Sequence, residues 1–418
     1  MPDRRHPHHA LTLPRPRPLR RRTVTAVTGL TIAALPAPLV LAPPAAARTA
    51  PGGTIRFTAL PLAGDLPAGP ALIDVRGRLF GTTESAAQRG RYRIVRWDPQ
   101  PSGGYRPTPL SDYGDHRLDD VNDRGDLLVS EGRDLALWDG NGERVAAVSQ
   151  PSETRSTALP PVLNDRRQVL YGVGIGDLSG LPHTAVLWSP SGRAELPRPD
   201  GSATLLPTRL SDRGTALATV MGGTTPPHRT GVLWNGRATA RVLAPGGKAV
   251  AWMIDVNDRG QAVGLDETEQ RMFLHDRGRS QDIGDLGGGW TWAYHFQDVL
   301  NDRGQIAGVS RTASGEYHPF LWERGTMTDL GTLGGDGDRF GSTVTALNER
   351  GQVIGHTTAD GGEQHAFLWD RGRMYDLQVP TGGAGKAVPL TLNERDQISG
   401  VVDTAAGPHP AVWVFTRR

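Results

Sequence analysis

The chain contains no cysteine and only two lysines, and aromatic residues are scarce for a protein of 418 residues. The absence of cysteine excludes disulfides, thiolate metal sites, cysteine nucleophiles and lipid-anchored cysteines. Aromatic residues make up 6% of the chain, which is little for a cleft that cleaves polysaccharides. Lys248 and Lys386 stand against a large excess of arginine, which indicates a GC-rich coding sequence and not a binding surface.

Amphipathic helical stripes are also missing, whereas glycine and proline are abundant. The 54 glycines and 33 prolines form about a fifth of the chain, which is short of the non-periodic content that marks disorder. No segment of about ten or more residues carries apolar side chains at the helical period. These features predict many turns between short strands and exclude a repeat built from helix pairs.

The N-terminal segment, residues 1–47, has the composition of an export signal. It opens with seven arginines and one acidic residue, continues with an apolar run from Val24 to Ala42, and ends in small residues up to Ala47. We therefore expect a signal peptide of the Sec or twin-arginine type, cleaved after Ala47. A retained membrane anchor is the alternative, because the apolar run is long for a signal, although Pro36 and Pro38 interrupt it.

The charge balance changes once this segment is set apart. Residues 1–47 hold seven arginines and one aspartate, so that 39 basic and 43 acidic residues remain, with a formal net charge of −4. The pI of 9.1 thus belongs largely to the N-terminal segment. Residues 48–418 contain no basic patch, and we expect no nucleic-acid partner and, after cleavage, no membrane association.

Most of the remaining chain repeats a unit of about 45 residues. The phrase LNDRGQIAG at 300–308 has close copies at 256–264, 347–355 and 392–400, and weaker copies earlier in the chain. Its turn glycine, or the residue that replaces it, falls at residues 77, 125, 167, 214, 260, 304, 351 and 396. Eight units of this period predict a β-propeller or a solenoid.

Each unit contains four short strands. In residues 344–377, β-favouring runs alternate with an Asn-Glu-Arg-Gly turn, a polar loop and an Arg-Gly turn. The second and third strands are apolar at consecutive positions, as in strands covered on both faces, whereas the fourth is more polar, as an outer edge should be. We therefore predict an all-β protein, a β-propeller of eight four-stranded blades within residues 48–418.

The two ends of the repeated region predict how the ring closes. The eighth unit has its third strand at residues 411–415 and no fourth strand after it, whereas residues 54–60 form a strand without a unit. We expect residues 54–60 to complete the last blade, antiparallel to residues 411–415. A solenoid would instead require two caps.

Three phrases in a fixed order resemble the repeats of a known family. LNDRGQIAG, HAFLW at 365–369 and MTDLGTLGG at 327–335 are similar to the repeats of the HAF-repeat family, probable extracellular repeat proteins. The resemblance is closest over residues 256–400 and, with degenerate units, extends over the chain after residue 47. It implies a secreted bacterial protein and no particular activity. The departures from the pattern are Arg167 and Asp396 in place of the turn glycine, and His275 in place of the tryptophan.

Two repeated features invite a metal-site interpretation. The Asn-Asp-Arg-Gly turns lack the length and the late glutamate of a calcium loop, because an apolar strand begins within two residues of the glycine. His318, His365 and His409 each open the third strand of a different unit, where other units have Arg, Asp or Thr. We interpret the turns as structural and the histidines as hydrogen-bonding groups at strand ends, and we expect no metal or cofactor.

Residues outside the repeat are the candidates for function, because blade geometry does not require them. The candidate ligand-binding residues are Trp290, Trp292, Tyr294, His295, Asp336, Asp338 and Arg339. Aromatic side chains beside carboxylates and an arginine suit a sugar or a peptide. The alternative is that Trp290 and Trp292 cover His275.

The motifs in the chain favour binding over catalysis. The sequence has no nucleophile elbow, no HExxH pair and no P-loop, so that we assign no catalytic residues and do not expect an enzyme. We expect a secreted, monomeric binding or scaffold propeller whose ligand is an unknown glycan, peptide or protein. The alternatives are a glycan hydrolase or lyase that draws carboxylates such as Asp285 and Glu316 from different blades, and a structural cell-surface protein.

Overall fold

A computed structural model of the chain provides the fold. It describes residues 48–50, 53–62, 64–149, 159–174, 182, 184–198, 204–222, 229–294, 296–335, 341–377, 386–404 and 407–417. The segment assigned to the export signal, residues 1–47, lies outside the described residues.

In the described residues, all regular structure is β-strand except for one short 3₁₀ helix at Pro245–Gly247. The first strands are β1 (Arg48–Ala50), β2 (Gly53–Ala59), β3 (Leu66–Ile73), β4 (Leu79–Glu84), β5 (Tyr92–Pro99), β6 (Tyr105–Pro109), β7 (His116–Val121), β8 (Leu127–Glu131), β9 (Asp134–Trp138), β10 (Arg144–Ala147), β11 (Val162–Leu163), β12 (Val169–Val173), β13 (Thr184–Ser189), β14 (Gly192–Glu195), β15 (Thr204–Leu210), β16 (Ala216–Met221), β17 (Arg229–Trp234) and β18 (Thr239–Val242). The remaining strands are β19 (Val250–Val256), β20 (Ala262–Asp266), β21 (Met272–Asp276), β22 (Arg279–Asp282), β23 (Gly287–Trp292), β24 (Ile306–Thr312), β25 (Tyr317–Glu323), β26 (Thr326–Asp329), β27 (Thr343–Leu347), β28 (Val353–Thr358), β29 (Gln364–Asp370), β30 (Arg373–Asp376), β31 (Ala387–Leu392), β32 (Gln397–Thr404) and β33 (Gly407–Arg417).

The strands form eight antiparallel sheets that follow the order of the chain. Blade 1 consists of β3 to β6, and each of the next six blades takes four successive strands, up to β30 in blade 7. Blade 8 consists of β31, β32 and β33, to which β2 and then β1 add on the outer side. The first strands of neighbouring blades contact one another and therefore line the centre of the ring. The chain is an eight-bladed β-propeller, as the repeat count predicts, with β1 as an additional outer strand.

Strand β2 closes the ring. It pairs antiparallel with β33 along its whole length, so that the predicted pairing of residues 54–60 with residues 411–415 is confirmed. The backbone edge that β33 would otherwise present to solvent is covered. Leu60, directly after β2, is fully buried, and its carbonyl accepts a hydrogen bond from Nε2 of His409 at 2.8 Å.

The hydrophobic core is divided into clusters between adjacent blades. One cluster combines the fully buried side chains of Met272 from blade 5, Phe320 from blade 6 and Phe367 from blade 7. Because neighbouring blades cover each sheet on both faces, the second strands are apolar at consecutive positions, as in Leu127–Val129 of β8. A blade therefore buries its apolar surface only against its neighbours, and an open ring would expose it.

The asparagine of the repeated turn joins each blade to the next. In blade 6, Oδ1 of Asn301 accepts the N–H groups of Arg303 and Gln305, both at 3.0 Å. Its Nδ2 donates to the carbonyl of Asn348 in blade 7, at 3.0 Å. We call the residues that make this bond to the next blade the asparagine belt: Asn122, Asn164, Asn257, Asn301, Asn348 and Asn393. The bond from Asn393 to the carbonyl of Asp74 in blade 1, at 3.2 Å, continues the belt across the ring closure.

Two blades have another residue at the belt position. Blade 1 has Asp74, which holds Arg78, and Nη2 of Arg78 reaches the carbonyl of Arg124 in blade 2 at 3.4 Å. Blade 4 has Ser211, whose hydroxyl accepts the N–H of Thr215 in its own turn at 3.2 Å. The junction between blades 4 and 5 therefore lacks the asparagine amide that joins most of the other blades.

A positive φ is required at the fourth residue of the turn. Gly304 and Gly351 have φ of 81° and 80°. Arg167 and Asp396, which replace the glycine in two units, adopt the same conformation with φ of 60° and 62°. Such strain costs about 1–3 kcal/mol, and both side chains form ion pairs that offset it. The Asn-Asp-Arg-Gly segments therefore form turns, as the sequence predicts.

Candidate functional site

The inner strand of blade 6 departs from the regular blade pattern. In blade 5, Trp252 pairs with Leu265, and Val256, four residues later, pairs with Ala262. In blade 6, Trp292 pairs with Val309, and Leu300, which bridges to Ile306, lies eight residues after Trp292 instead of four. Blade 6 therefore carries a four-residue insertion in the middle of the strand that lines the centre of the ring.

Strand alternation fixes the direction of the two tryptophans in β23. Thr291, between them, faces blade 5, because its Oγ1 accepts the N–H of Met272 at 2.9 Å. The backbone N–H of Thr291 also donates to the carbonyl of Gln270 in blade 5, at 2.8 Å. Trp290 and Trp292 consequently lie on the other face of the strand.

Four aromatic side chains form a continuous cluster in blade 6, toward the end opposite the Asn-Asp-Arg-Gly turn. The rings of Trp290 and Trp292 are nearly parallel, with centroids 6.2 Å apart and an interplanar angle of 20°. Tyr317, which opens β25, meets Trp290 edge-on at 5.1 Å. Tyr294, in the insertion, meets Trp292 edge-on at 4.0 Å. We call these four side chains the aromatic platform.

The aromatic platform is accessible to solvent. Tyr294 is 43% exposed, and in the described residues only Val145 is another large hydrophobic side chain that is exposed to this degree. Trp290, Trp292 and Tyr317 are half-buried. Aromatic side chains that remain partly exposed offer apolar contact area to a ligand without rearrangement of the fold.

A glycine-rich loop holds the start of β23. Oδ1 of Asp285 accepts the N–H groups of Gly287 and Gly289, at 2.6 and 2.9 Å, and the carboxylate also binds Arg271. Burial works against ionisation of Asp285, but the N–H groups and the guanidinium outweigh it and hold its pKa below the ordinary value. A general acid needs the opposite shift, so this carboxylate is suited to structural support and not to proton donation.

Polar side chains flank Tyr317 in the chain but lie on the other face of the sheet. His318 pairs with Ser310, which pairs with Thr291, so the side chain of His318 lies on the face that Thr291 turns to blade 5. Nδ1 of His318 lies 2.9 Å from Asp329, and the hydrogen bond to Asp329 raises the pKa of His318 against the effect of burial. Glu316 accepts the hydroxyl of Ser314 at 3.0 Å, and its carboxylate lies 3.7 Å from Nε2 of His318. The polar atoms that the platform itself contributes are the tyrosine hydroxyls and the indole N–H groups.

The structure brings together only part of the predicted site. Trp290, Trp292 and Tyr294 form the platform, as the sequence predicts. His295, Asp336, Asp338 and Arg339 lie outside the described residues. Tyr317, which immediately precedes the repeated histidine, joins the platform although it is not among the candidates that the sequence indicates. Its signal was an aromatic residue at a position where the flanking blades have Gln270 and Gln364.

The alternative role for the tryptophans, covering His275, is wrong. Nδ1 of His275 lies 2.9 Å from the hydroxyl of Ser280 in the adjacent strand. His275 pairs with Ala262 near the turn end of blade 5, whereas the tryptophans lie toward the other end of blade 6 and face away from blade 5. Burial lowers the pKa of His275, which keeps the ring neutral in its packed position.

The three histidines near the beginning of third strands act separately. His318 binds Asp329 and His365 binds Asp376, in each case joining the third strand to the end of the fourth. His409 makes the corresponding bond to Leu60 in blade 8. Their predicted role as hydrogen-bonding groups at strand ends is confirmed. Within the described part of the chain, no group of three or more His, Asp or Glu side chains is placed to hold a metal ion.

Comparisons with known proteins show similarity of shape only. The β-propeller domain of the Trilobed protease from Pyrococcus furiosus has a TM-score of 0.46 at 11% identity, over 76% of this chain and 100% of that one. The WD40 domain of SCAP from fission yeast has a TM-score of 0.43 at 8% identity, over 86% and 98% of the two chains. Virginiamycin B lyase from Staphylococcus aureus has a TM-score of 0.42 at 9% identity, over 87% and 99%. At these values the similarities carry no argument about function.

No protein-family model and no curated protein matches the chain. In the described residues, no helix has the length and apolar character needed to cross a membrane.

Proposed function

We propose that this protein is a secreted binding propeller that holds a glycan on the aromatic platform of blade 6. The observation that carries the proposal is the pair of nearly parallel indoles, Trp290 and Trp292, extended by the exposed ring of Tyr294. Secretion is supported by the signal-like composition of residues 1–47 and by the resemblance to the HAF-repeat family.

The chemistry of the aromatic platform suits a sugar. Sugar rings combine apolar C–H faces with hydroxyl groups that both donate and accept hydrogen bonds. Flat aromatic rings match the apolar faces, and a few placed polar groups fix orientation, which is the usual composition of a small-ligand site. The hydroxyls of Tyr294 and Tyr317 and the indole N–H groups of the two tryptophans supply such groups.

Binding fits the described residues better than catalysis does. Asp285 is held ionised by backbone N–H groups and Arg271, so it does not serve as the acid of a glycosidase. The second carboxylate of such a pair would have to converge with it across the site, and Glu316 is instead bound to Ser314 on its own loop. We therefore place the function in recognition of a ligand.

A glycan and peptide array tests the proposal directly. The chain without residues 1–47 should retain a defined set of glycans, and Trp290→Ala or Tyr317→Ala should reduce retention at least about tenfold, since each removes stacking area. Tyr92→Ala is the matched control, because Tyr92 opens the third strand of blade 1 as Tyr317 does in blade 6. Its retention should equal that of the unchanged protein.

Three results would contradict the proposal. Retention of peptides alone would show that the ligand class is wrong. Equal retention by Trp290→Ala and the unchanged protein would show that the site is wrong. An array with no retention at all would favour a purely structural cell-surface protein.

A further inference from the structure

A buried arginine lies near the centre of the ring in blade 4, opposite the blade that closes the ring. Arg209 is the second-last residue of the inner strand β15 of blade 4 and is 1% exposed. The other blades have uncharged or acidic side chains at the same position, two residues before the turn asparagine or its replacement. These residues are Leu72, Asp120, Val162, Asp255, Val299, Ala346 and Thr391.

Arg209 reaches past blade 5 to blade 6. Its Nε lies 3.9 Å from Oδ1 of Asp255, on the inner strand of blade 5. Its Nη2 lies 3.3 Å from Oδ1 of Asp298, at the end of the insertion in blade 6. The side chain of Asp298 is 9% exposed and that of Asp255 is fully buried. One guanidinium therefore links three successive blades.

Asp298 lies at the C-terminal end of the insertion that carries Tyr294 and is held by two contacts. Its carbonyl accepts the N–H of Leu347 in blade 7, at 2.7 Å, while its carboxylate meets Arg209. Phe296, two residues earlier, has a φ of 75°, a conformation that must be held by its surroundings. Asp298 is thus held by two neighbouring blades at a point four residues after Tyr294 in the chain.

Blade 2 provides a comparison without the arginine. Asp120 accepts the N–H groups of Val121 and, in blade 3, Leu163, both at 2.8 Å. Asp255 forms the same clasp to Val256 and to Leu300 in blade 6. Blade 1 has Leu72 at the position of Arg209, so the clasp in blade 2 forms without an arginine at that position.

Stability alone does not explain a buried arginine at this position. Among the described residues, Nε and Nη2 of Arg209 have ion-pair contacts but no hydrogen-bond partner of good geometry. Buried ion pairs with incomplete hydrogen bonding rarely stabilise a fold more than apolar side chains of the same volume would. The arginine and the insertion occur in the same sector of the ring, and the contact between them is the ion pair to Asp298.

We propose that Arg209 is a positioning residue for the aromatic platform: through Asp298 it fixes the insertion that presents Tyr294 to the ligand. The inference rests on the proposed function, since it assigns Arg209 a role in glycan recognition without contact to the glycan.

The test is a double variant, Arg209→Met with Asp298→Leu. It removes both charges of this ion pair and fills the same space with apolar side chains. The variant should fold with a melting temperature close to that of the unchanged protein. Hydrogen exchange of the amides in residues 293–297 should be faster by about tenfold, and retention on the glycan array should fall by a similar factor. Val162→Ala, at the same position in blade 3, is the control. It should change neither the hydrogen exchange of residues 293–297 nor retention on the array.

Hydrogen exchange tests the role of Arg209 in the absence of a ligand, so its result does not depend on whether the array retains the protein. Unchanged exchange at residues 293–297 in a folded double variant overturns the proposal. A double variant that fails to fold also overturns it, because the pair would then be a requirement of the fold. Faster exchange together with an array that is silent for the unchanged protein would support the positioning role and contradict the glycan function.

Discussion

The two ends of the blades use their side chains in different ways. At the end with the Asn-Asp-Arg-Gly turns, the same residues recur from blade to blade, and the asparagine belt ties each turn to the next. Toward the opposite end, blade 6 presents four aromatic side chains that the other blades do not repeat as a cluster. The comparison teaches that the repeated residues make the same contacts between blades around the ring, whereas Tyr294 is exposed and the other three aromatic side chains are only half-buried, and this is why the aromatic platform is the candidate site.

The largest expected effect concerns the closure of the ring. A chain that begins at Ala68 lacks β2 and leaves the outer edge of β33 open, together with the apolar surface that Leu60 covers. We expect this chain to be insoluble or to lose cooperative thermal unfolding. A chain that begins at Ala50 keeps β2 and should unfold as the protein without residues 1–47 does. Equal melting of both chains would mean that β2 is not required for closure.

The asparagine belt should show the next largest effect. Asn301→Ala removes two acceptor bonds within the turn and the donor bond to blade 7 from a side chain that is 3% exposed. We expect a loss of about 2–4 kcal/mol in the free energy of unfolding. Ser211→Ala, at the belt position without an amide, should cost about 1 kcal/mol or less. Chemical denaturation of both variants would show whether the bond between blades accounts for the difference.

Glycine at the turn should matter less than asparagine. Gly351→Val places a β-branched residue at a φ of 80°, and its Cβ would lie 3.2 Å from the amide of Gln305. We expect a loss of about 1–3 kcal/mol. Arg167→Gly, where a side chain already occupies this conformation, should change stability by less, because the relief of strain offsets the lost ion pair with Asp126. A Gly351→Val variant as stable as the unchanged protein would contradict the expectation that a β-branched residue is strained at this position.

The smallest effect is a dependence on pH at the closure. Burial lowers the pKa of His409 below its ordinary 6.5, although the bond to the Leu60 carbonyl opposes the shift. The unfolded chain therefore takes up a proton near pH 6.5 that the folded chain does not, so stability falls as the pH drops below 6.5. Half-buried His356, which bonds to the carbonyl of Ala387, also has a pKa lowered by desolvation and acts in the same direction.

Thermal melting at about pH 7.5 and about pH 5.5 measures this effect. His409→Gln keeps a donor for the Leu60 carbonyl and cannot be protonated, so the loss on acidification should shrink. His318 has a raised pKa because of Asp329, and its contribution has the opposite sign: it is present below pH 6.5 and is lost as the pH rises through the pKa of the folded protein. A melting temperature that is higher at the acidic pH would therefore identify His318 as the dominant group.

Much of the fold could be predicted because each repeat unit is defined by turn and strand patterns among residues that are close together in the sequence. The turn glycines, the consecutive apolar strands and the spare strand at residues 54–60 each follow from the sequence, and together they predict eight blades and their closure. The aromatic platform could be predicted in part, since Trp290, Trp292 and Tyr294 lie outside the repeat. Tyr317 could not be assigned to it, because it is 25 residues away from Trp292 in the sequence and joins the cluster only through the pairing of β24 with β23 and β25.

The sequence by itself determined the blade, because turns and strands depend on residues within a few positions of one another. Tertiary structure decided what happens between blades. The amide of the repeated asparagine binds a carbonyl about 45 residues away in the next blade, and Arg209 meets Asp298 past the inner strand of blade 5. The partner in such a contact cannot be read from neighbouring residues in the chain, since the geometry of the ring brings the two groups together.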